Sequence, residues 1–185
     1  MTEKNAIYQE KEGTLSFVQI GMEILRVARN ELYLNMRFLD VALSSLRFVP
    51  DGQIRGLGTD GNNLYFQPDG VVALFRKGRP VINRAYLHSI VHCLFCHLWN
   101  RKDRDVEYWN LACDIAVERI IDRLDKPCVK RILTWRRQDI YKRLDDDKCV
   151  SSAQIYEFLL DINKEELNKL WLEFYTDDHT IWQYK

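Results

Sequence analysis

Apolar residues recur at helical spacing in two N-terminal stretches. Phe17, Ile20, Ile24, Val27 and Ala28 do so within Leu15–Asn30, and Leu39, Ala42, Leu43 and Leu46 within Met36–Phe48. The pattern predicts two helices, the second stopped by Pro50, whose ring cannot continue one. Between Asp51 and Gly70 the chain changes character. Glycines at 52, 56, 58, 61 and 70 punctuate it, and Asp60-Gly61 is a turn signal. Short strands are expected near Gln53–Leu57 and Leu64–Gln67, and Val71–Arg76 fits either a helix or a strand. Asn83 is expected to cap a helix running to about Asn100. After a charged loop at Arg101–Glu107, another helix is expected from Tyr108 to about Leu124, with Pro127 just beyond it. Lys130–Lys148 reads as loop with irregular helix. Ser151 or Ser152 should cap a helix through Leu160, and Asn163 with Glu166 makes a capping-box-like start for a last helix through Phe174. The sum is an α+β fold, a mostly helical single domain over residues 1–185 with a small β-sheet.

Composition narrows the class. Lys+Arg and Asp+Glu both number 27, a formal charge of +0, which argues against a nucleic acid or an anionic membrane as the main partner. No apolar run approaches the ~20 residues needed to span a bilayer. The polar start Met1-Thr2-Glu3-Lys4-Asn5 lacks the apolar core of a secretory signal. Five scattered cysteines, an odd number, read as reduced thiols of a cytoplasmic protein rather than as a disulfide framework.

Histidine carries the chemistry. The chain has 4, and three of them fall between His88 and His97. Leu87, Ile90, Val91, Leu94 and Leu98 form an apolar stripe, with His88 and His92 one turn apart on its shoulder. That is how a helix offers two imidazoles to one Zn²⁺, although such a pair also arises incidentally on a helix surface. On an unbroken helix His97 points roughly 140° away from His92, and no glycine lies between them. A ligand role for His97 therefore needs a distortion, and a supporting role is the alternative. Downstream, Trp109-Asn110-Leu111-Ala112-Cys113-Asp114-Ile115-Ala116-Val117-Glu118 is apolar almost all round, so its helix is expected to be buried. Asp114 on it needs a partner, either the metal or an arginine. Its place 22 residues after His92 suits a second helix that brings a carboxylate to the two-histidine helix. Cys93-Leu94-Phe95-Cys96-His97 also matches the string used for covalent haem attachment. A chain with no export signal disfavours that reading, and two structural cysteines are the simpler one.

Taken in order, several segments together resemble the metallopeptidase-type domain found N-terminal to von Willebrand factor A-like domains, a zincin-like family of bacterial cytoplasmic proteins. They are Thr59-Asp60-Gly61, Leu64-Tyr65-Phe66 with Pro68, Leu87-His88 through His97, Trp109 through Asp114, and Asp177-Asp178-His179 before Trp182. The resemblance implies that His88 and His92 bind zinc, that Asp114 is a third ligand or close neighbour, and that His179 approaches the same site. It also implies a following von Willebrand A-like domain and a MoxR-type AAA ATPase as partner; 185 residues leave no room for that domain, so the chain reads as a fragment.

One position departs from the family. The glutamate after the first histidine of H-E-x-x-H is the general base, and Ser89 stands there. The expectation is therefore a metal-binding domain with impaired catalysis. Two alternatives stand beside it: an active zinc hydrolase using another carboxylate, with Glu118 placed to substitute, and a metal-free interaction module presenting Trp135, Trp171 or Trp182.

Overall fold

The computed structural model describes residues 16–144 and 150–182; the expected features at Leu15 and at 145–148 lie outside them. Helix α1 (Phe17–Asn35) starts in a full capping box: Gln19 N donates to Ser16 Oγ at 3.2 Å and Ser16 N donates to Gln19 Oε1 at 2.9 Å. The second expected helix is only partly realised. A short turn at Arg37–Leu39 and helix α2 (Asp40–Ser45) end before Phe48, and Arg47–Pro50 is strand β1. Pro50 thus closes a strand, not a helix. Arg47-Phe48-Val49 is extended rather than helical because these residues pair in parallel with Asn63, Leu64 and Tyr65.

Strand β3 (Asn63–Phe66) falls close to its expected place, but β2 (Leu57–Thr59) shares only Leu57 with the strand expected at Gln53–Leu57, because residues 52–56 form a bend; the order is β1-β3-β2, with β2 antiparallel to β3. Helix α3 (Pro68–Lys77) resolves the ambiguous stretch, with proline in the first turn where no N–H is missed. Helix α4 (Arg79–Leu94) starts earlier than expected: Gly78, at φ 134°, lets the chain turn, and Pro80 occupies the first turn. Asn83 is therefore not its cap. It is buried inside the helix, and its Nδ2 donates to the Cys128 carbonyl at 3.0 Å.

Helix α5 (Val106–Arg123) is capped by Asp105, whose carboxylate accepts from the backbone N–H groups of Glu107 and Tyr108. Helix α6 (Trp135–Arg143) orders much of the stretch expected to be irregular. Helices α7 (Ser152–Leu160) and α8 (Lys164–Phe174) begin at Ser151 and Asn163. Asn163 accepts from Glu166 N at 3.0 Å, while the Glu166 side chain bonds Arg143, so the box is only half closed.

Two apolar cores result. One gathers α1, the sheet and the apolar residues of α4; the other gathers α5 to α8 with Trp182. Helix α5 serves both, giving Val117 and Ile121 to the first and Leu111, Ala112 and Ile115 to the second. Consequently α4 is buried all round from Ile82 to His92 rather than along one stripe. No described helix is long and apolar enough to cross a membrane.

Candidate metal centre

Where the two cores meet, the polar residues of α4 and α5 have only each other. Their one-turn spacing brings His88 and His92 together, with ring centroids 4.5 Å apart and Nε2 atoms 2.8 Å apart. Asp114, from α5, places Oδ1 3.2 Å from His88 Nε2 and 3.3 Å from His92 Nε2. The carboxylate meets imidazoles, not an arginine.

Two further groups come from the segment after α8. Asp177 Oδ1 is 3.4 Å from His88 Nε2 and 2.8 Å from His179 Nε2, and His179 Nε2 is 3.2 Å from Asp114 Oδ1. This tail is pinned to the sheet: Asp178 N donates to the Leu57 carbonyl at 2.7 Å, and Arg55 N to Asp178 Oδ2 at 2.8 Å. The close approach depends on Gly58, where an added Cβ would lie 2.6 Å from the Asp178 carbonyl oxygen. Trp182 is buried and stacks on His179 with centroids 3.6 Å apart, so it is not an exposed docking residue.

All five side chains are buried, and one ligand atom from each lies within 4.8 Å of every other. Tetrahedral donors about 2.0–2.1 Å from zinc stand about 3.3 Å from one another, close to most of these separations. One atom is left over. Asp114 Oδ2 is buried without a hydrogen-bond partner, a costly condition for a carboxylate oxygen that a cation would relieve. Three imidazole nitrogens and two carboxylates are donors suited to a zinc-class ion. The residues fit a metal.

The electrostatics agree. Burial works against charge on His88, but the Asp177 charge and bonds from Asp114, Asp177 and Glu118 outweigh it and hold the imidazole well above its ordinary pKa. His179 is likewise raised to about 9 by Asp114 and Asp177 against burial. Burial also opposes the charged forms of the two aspartates, yet the neighbouring imidazoles hold both below the usual carboxylate range. His92 is pulled down to about 4 by burial and by His88. The pocket attracts positive charge and, without a metal, collects it as protons.

A second layer holds the first. His88 Nδ1 lies 2.9 Å from Glu118 Oε1. Glu118 Oε2 accepts from Arg84 Nη2 at 2.7 Å and from Arg137 Nη1 at 2.6 Å. Arg137 also bonds Asp122 and Glu173, and Tyr141 bonds Asp122. Glu118 is thus fully buried and engaged. Ser89, also buried, donates to Asp177 Oδ2 at 3.1 Å.

His97 stands outside the five. Its Nδ1 is 3.0 Å from His92 Nδ1, and its Nε2 is 2.6 Å from Ser152 Oγ. Neither ring nitrogen is left for a haem iron, and burial together with His92 pulls its pKa down to about 2. Asp177 was not singled out from the sequence. The available signal was Asp-x-His in a non-helical tail, a spacing that puts both side chains on one side of an extended chain.

With this geometry in place, one comparison is decisive: a family model described as "Putative metallopeptidase domain" matches residues 23–157. The chain belongs to that family. The match spans His88, His92 and Asp114 of this metallopeptidase-like domain, while Asp177 and His179 lie beyond it. No curated protein and no solved structure matches the chain.

Proposed function

We propose that the domain holds one zinc-class ion between His88, His92, His179, Asp114 and Asp177, as a zincin-like metallopeptidase domain that has lost efficient peptide hydrolysis. The observation that carries this reading is the convergence of five buried donor atoms within 4.8 Å. A zinc ion held there would supply Lewis-acid chemistry. The residues around it do the positioning: Glu118 Oε1 accepts a hydrogen bond from His88 Nδ1–H and orients the ring, while Ser89 donates to Asp177.

Three features argue for impaired chemistry. Ser89 replaces the general base, and its hydroxyl is used on Asp177. Glu118 is tied to His88, Arg84 and Arg137, which leaves it as a positioning group rather than a substitute base. Five protein donors also exceed the three that a catalytic zinc keeps beside its open position. The active-hydrolase reading draws on one observation, a cleft of ≈ 640 Å³ lined by Arg55, Tyr175 and His179 among others, which reaches the edge of the centre. Cytoplasmic location, a von Willebrand A-like neighbour and a MoxR-type ATPase partner belong to the same proposal and rest on the sequence resemblance.

The test is elemental analysis before and after chelation and zinc reloading, with a peptide-hydrolysis assay on the same samples. The expected result is one ion per chain, lost in His88→Ala, with no chelator-sensitive cleavage. A chain that takes up no metal on reloading would sink the centre. Chelator-sensitive cleavage would sink the impairment alone.

A further inference from the structure

The two ring nitrogens of His92 face different partners. Nε2 points into the cluster, and Nδ1 lies 3.0 Å from Nδ1 of His97. Two imidazole nitrogens at that distance share one proton, with one ring donating and the other accepting. His88 faces a carboxylate oxygen at each ring nitrogen, so both donate, and His92 Nε2, 2.8 Å from His88 Nε2, is left as the acceptor; a neutral ring carries one N–H. The His92 proton therefore sits on Nδ1, and His97 Nδ1 accepts it. His97 must then carry its own proton on Nε2, which is 2.6 Å from Ser152 Oγ. The Ser152 hydroxyl in turn bonds the Cys113 thiol. Every donor is used once. The opposite assignment would aim an N–H of His92 into the cluster.

The backbone makes a special turn to achieve this. Helix α4 stops at Leu94, and Cys96 takes the left-handed conformation at φ 55°, which is unfavourable for a residue other than glycine. A short turn at His97–Trp99 follows, and Trp109 Nε1 donates to the His97 carbonyl at 3.2 Å. Ser152 arrives from the first turn of α7, in the other core. We propose that His97 is a positioning residue that holds His92 in its Nδ1–H tautomer with Nε2 bare, and that Ser152 fixes His97 in the same way. The effect on metal affinity rests on the metal reading above; the tautomers do not.

The experiment is long-range ¹H–¹⁵N correlation on histidine-labelled protein, metal-free and zinc-loaded, together with zinc affinities of variants. Neutral His97 should show its proton on Nε2 and His92 on Nδ1 in both states. Zinc loading should shift His92 Nε2 and leave His97 Nδ1 unshifted by coordination. His97→Leu should weaken zinc binding roughly 10- to 100-fold, the range for lost partners of ligating histidines. His97→Asn, with an acceptor near the Nδ1 position, should lose less. Ser152→Ala is the milder variant should His97→Leu fail to fold; it should mix the His97 tautomers. A metal-shifted His97 Nδ1, a His97 proton on Nδ1, or unchanged zinc affinity in His97→Leu would overturn the proposal. Correct tautomers in a protein that takes up no zinc would uphold the positioning role while refuting the metal centre.

Discussion

Replacing Gly58 by alanine puts a methyl group 2.6 Å from the Asp178 carbonyl oxygen and 3.1 Å from Ile181 Cδ1. The first neighbour is backbone and cannot rotate away. To regain ordinary van der Waals separation the tail must retreat by roughly 0.8–1 Å. That stretches the 2.7 Å bond from Asp178 N to Leu57 O, worth about 0.5–1.5 kcal/mol net. Overpacking adds about 1–3 kcal/mol. The combined loss of about 2–4 kcal/mol corresponds to a fall in Tm of roughly 4–16 °C for a domain of this size. The flanking residues Asp177 and His179 move with the tail, so zinc affinity should drop on the order of 10-fold or more, although no ligand has been changed. Thermal melts with and without zinc, and a competition titration against a chelator of known affinity, read both effects. A Gly58→Ala protein with native stability would refute the packing argument. Weakened stability with unchanged zinc affinity would refute the claim that the sheet positions the tail ligands.

Two other outcomes are expected. Arg137 is fully buried between Glu118, Asp122 and Glu173, so Arg137→Met should cost about 3–5 kcal/mol by stranding buried carboxylates; urea denaturation showing a loss under 1 kcal/mol would contradict it. His88 and His179 are both held protonated at pH 7 in the metal-free cluster, the latter with a pKa near 9. Since a ligating imidazole must lose that proton, zinc uptake at pH 7 should release about two protons. The release should shrink as the pH rises through the His179 value. Calorimetry in buffers of different ionisation enthalpy measures the count, and no release at pH 7 would mean that the imidazoles are already neutral.

What the sequence made legible was local. One-turn spacing marked His88 and His92, and an apolar run with a lone acid marked Asp114; both are properties of single helices. The tail ligands depend on Asp178 bonding Leu57, a long-range pairing that no periodicity announces. The turn to His97 was hidden because its left-handed residue is Cys96, where a glycine would have signalled it. Strand β1 was taken for helix because Leu39 to Leu46 carries helical spacing right up to its edge. The pairing of Arg84 and Arg137 with Glu118 and Asp122 is long-range in the same way, and no local pattern marks those arginines for burial.

The tail's attachment has a consequence for how the protein comes apart. His88 and His179 stand at opposite ends of a loop, and the proposed ion shared between them would close it as a covalent crosslink does. For a loop of roughly 90 residues the chain-entropy account puts such a closure at about 4–5 kcal/mol. Unlike a disulfide, this crosslink is indifferent to reductant and answers to free metal concentration, strengthening by about 1.4 kcal/mol for each tenfold rise above the dissociation constant. The segment from Asp177 to Trp182 would then act as a latch between the two cores, and metal starvation would unfasten it first.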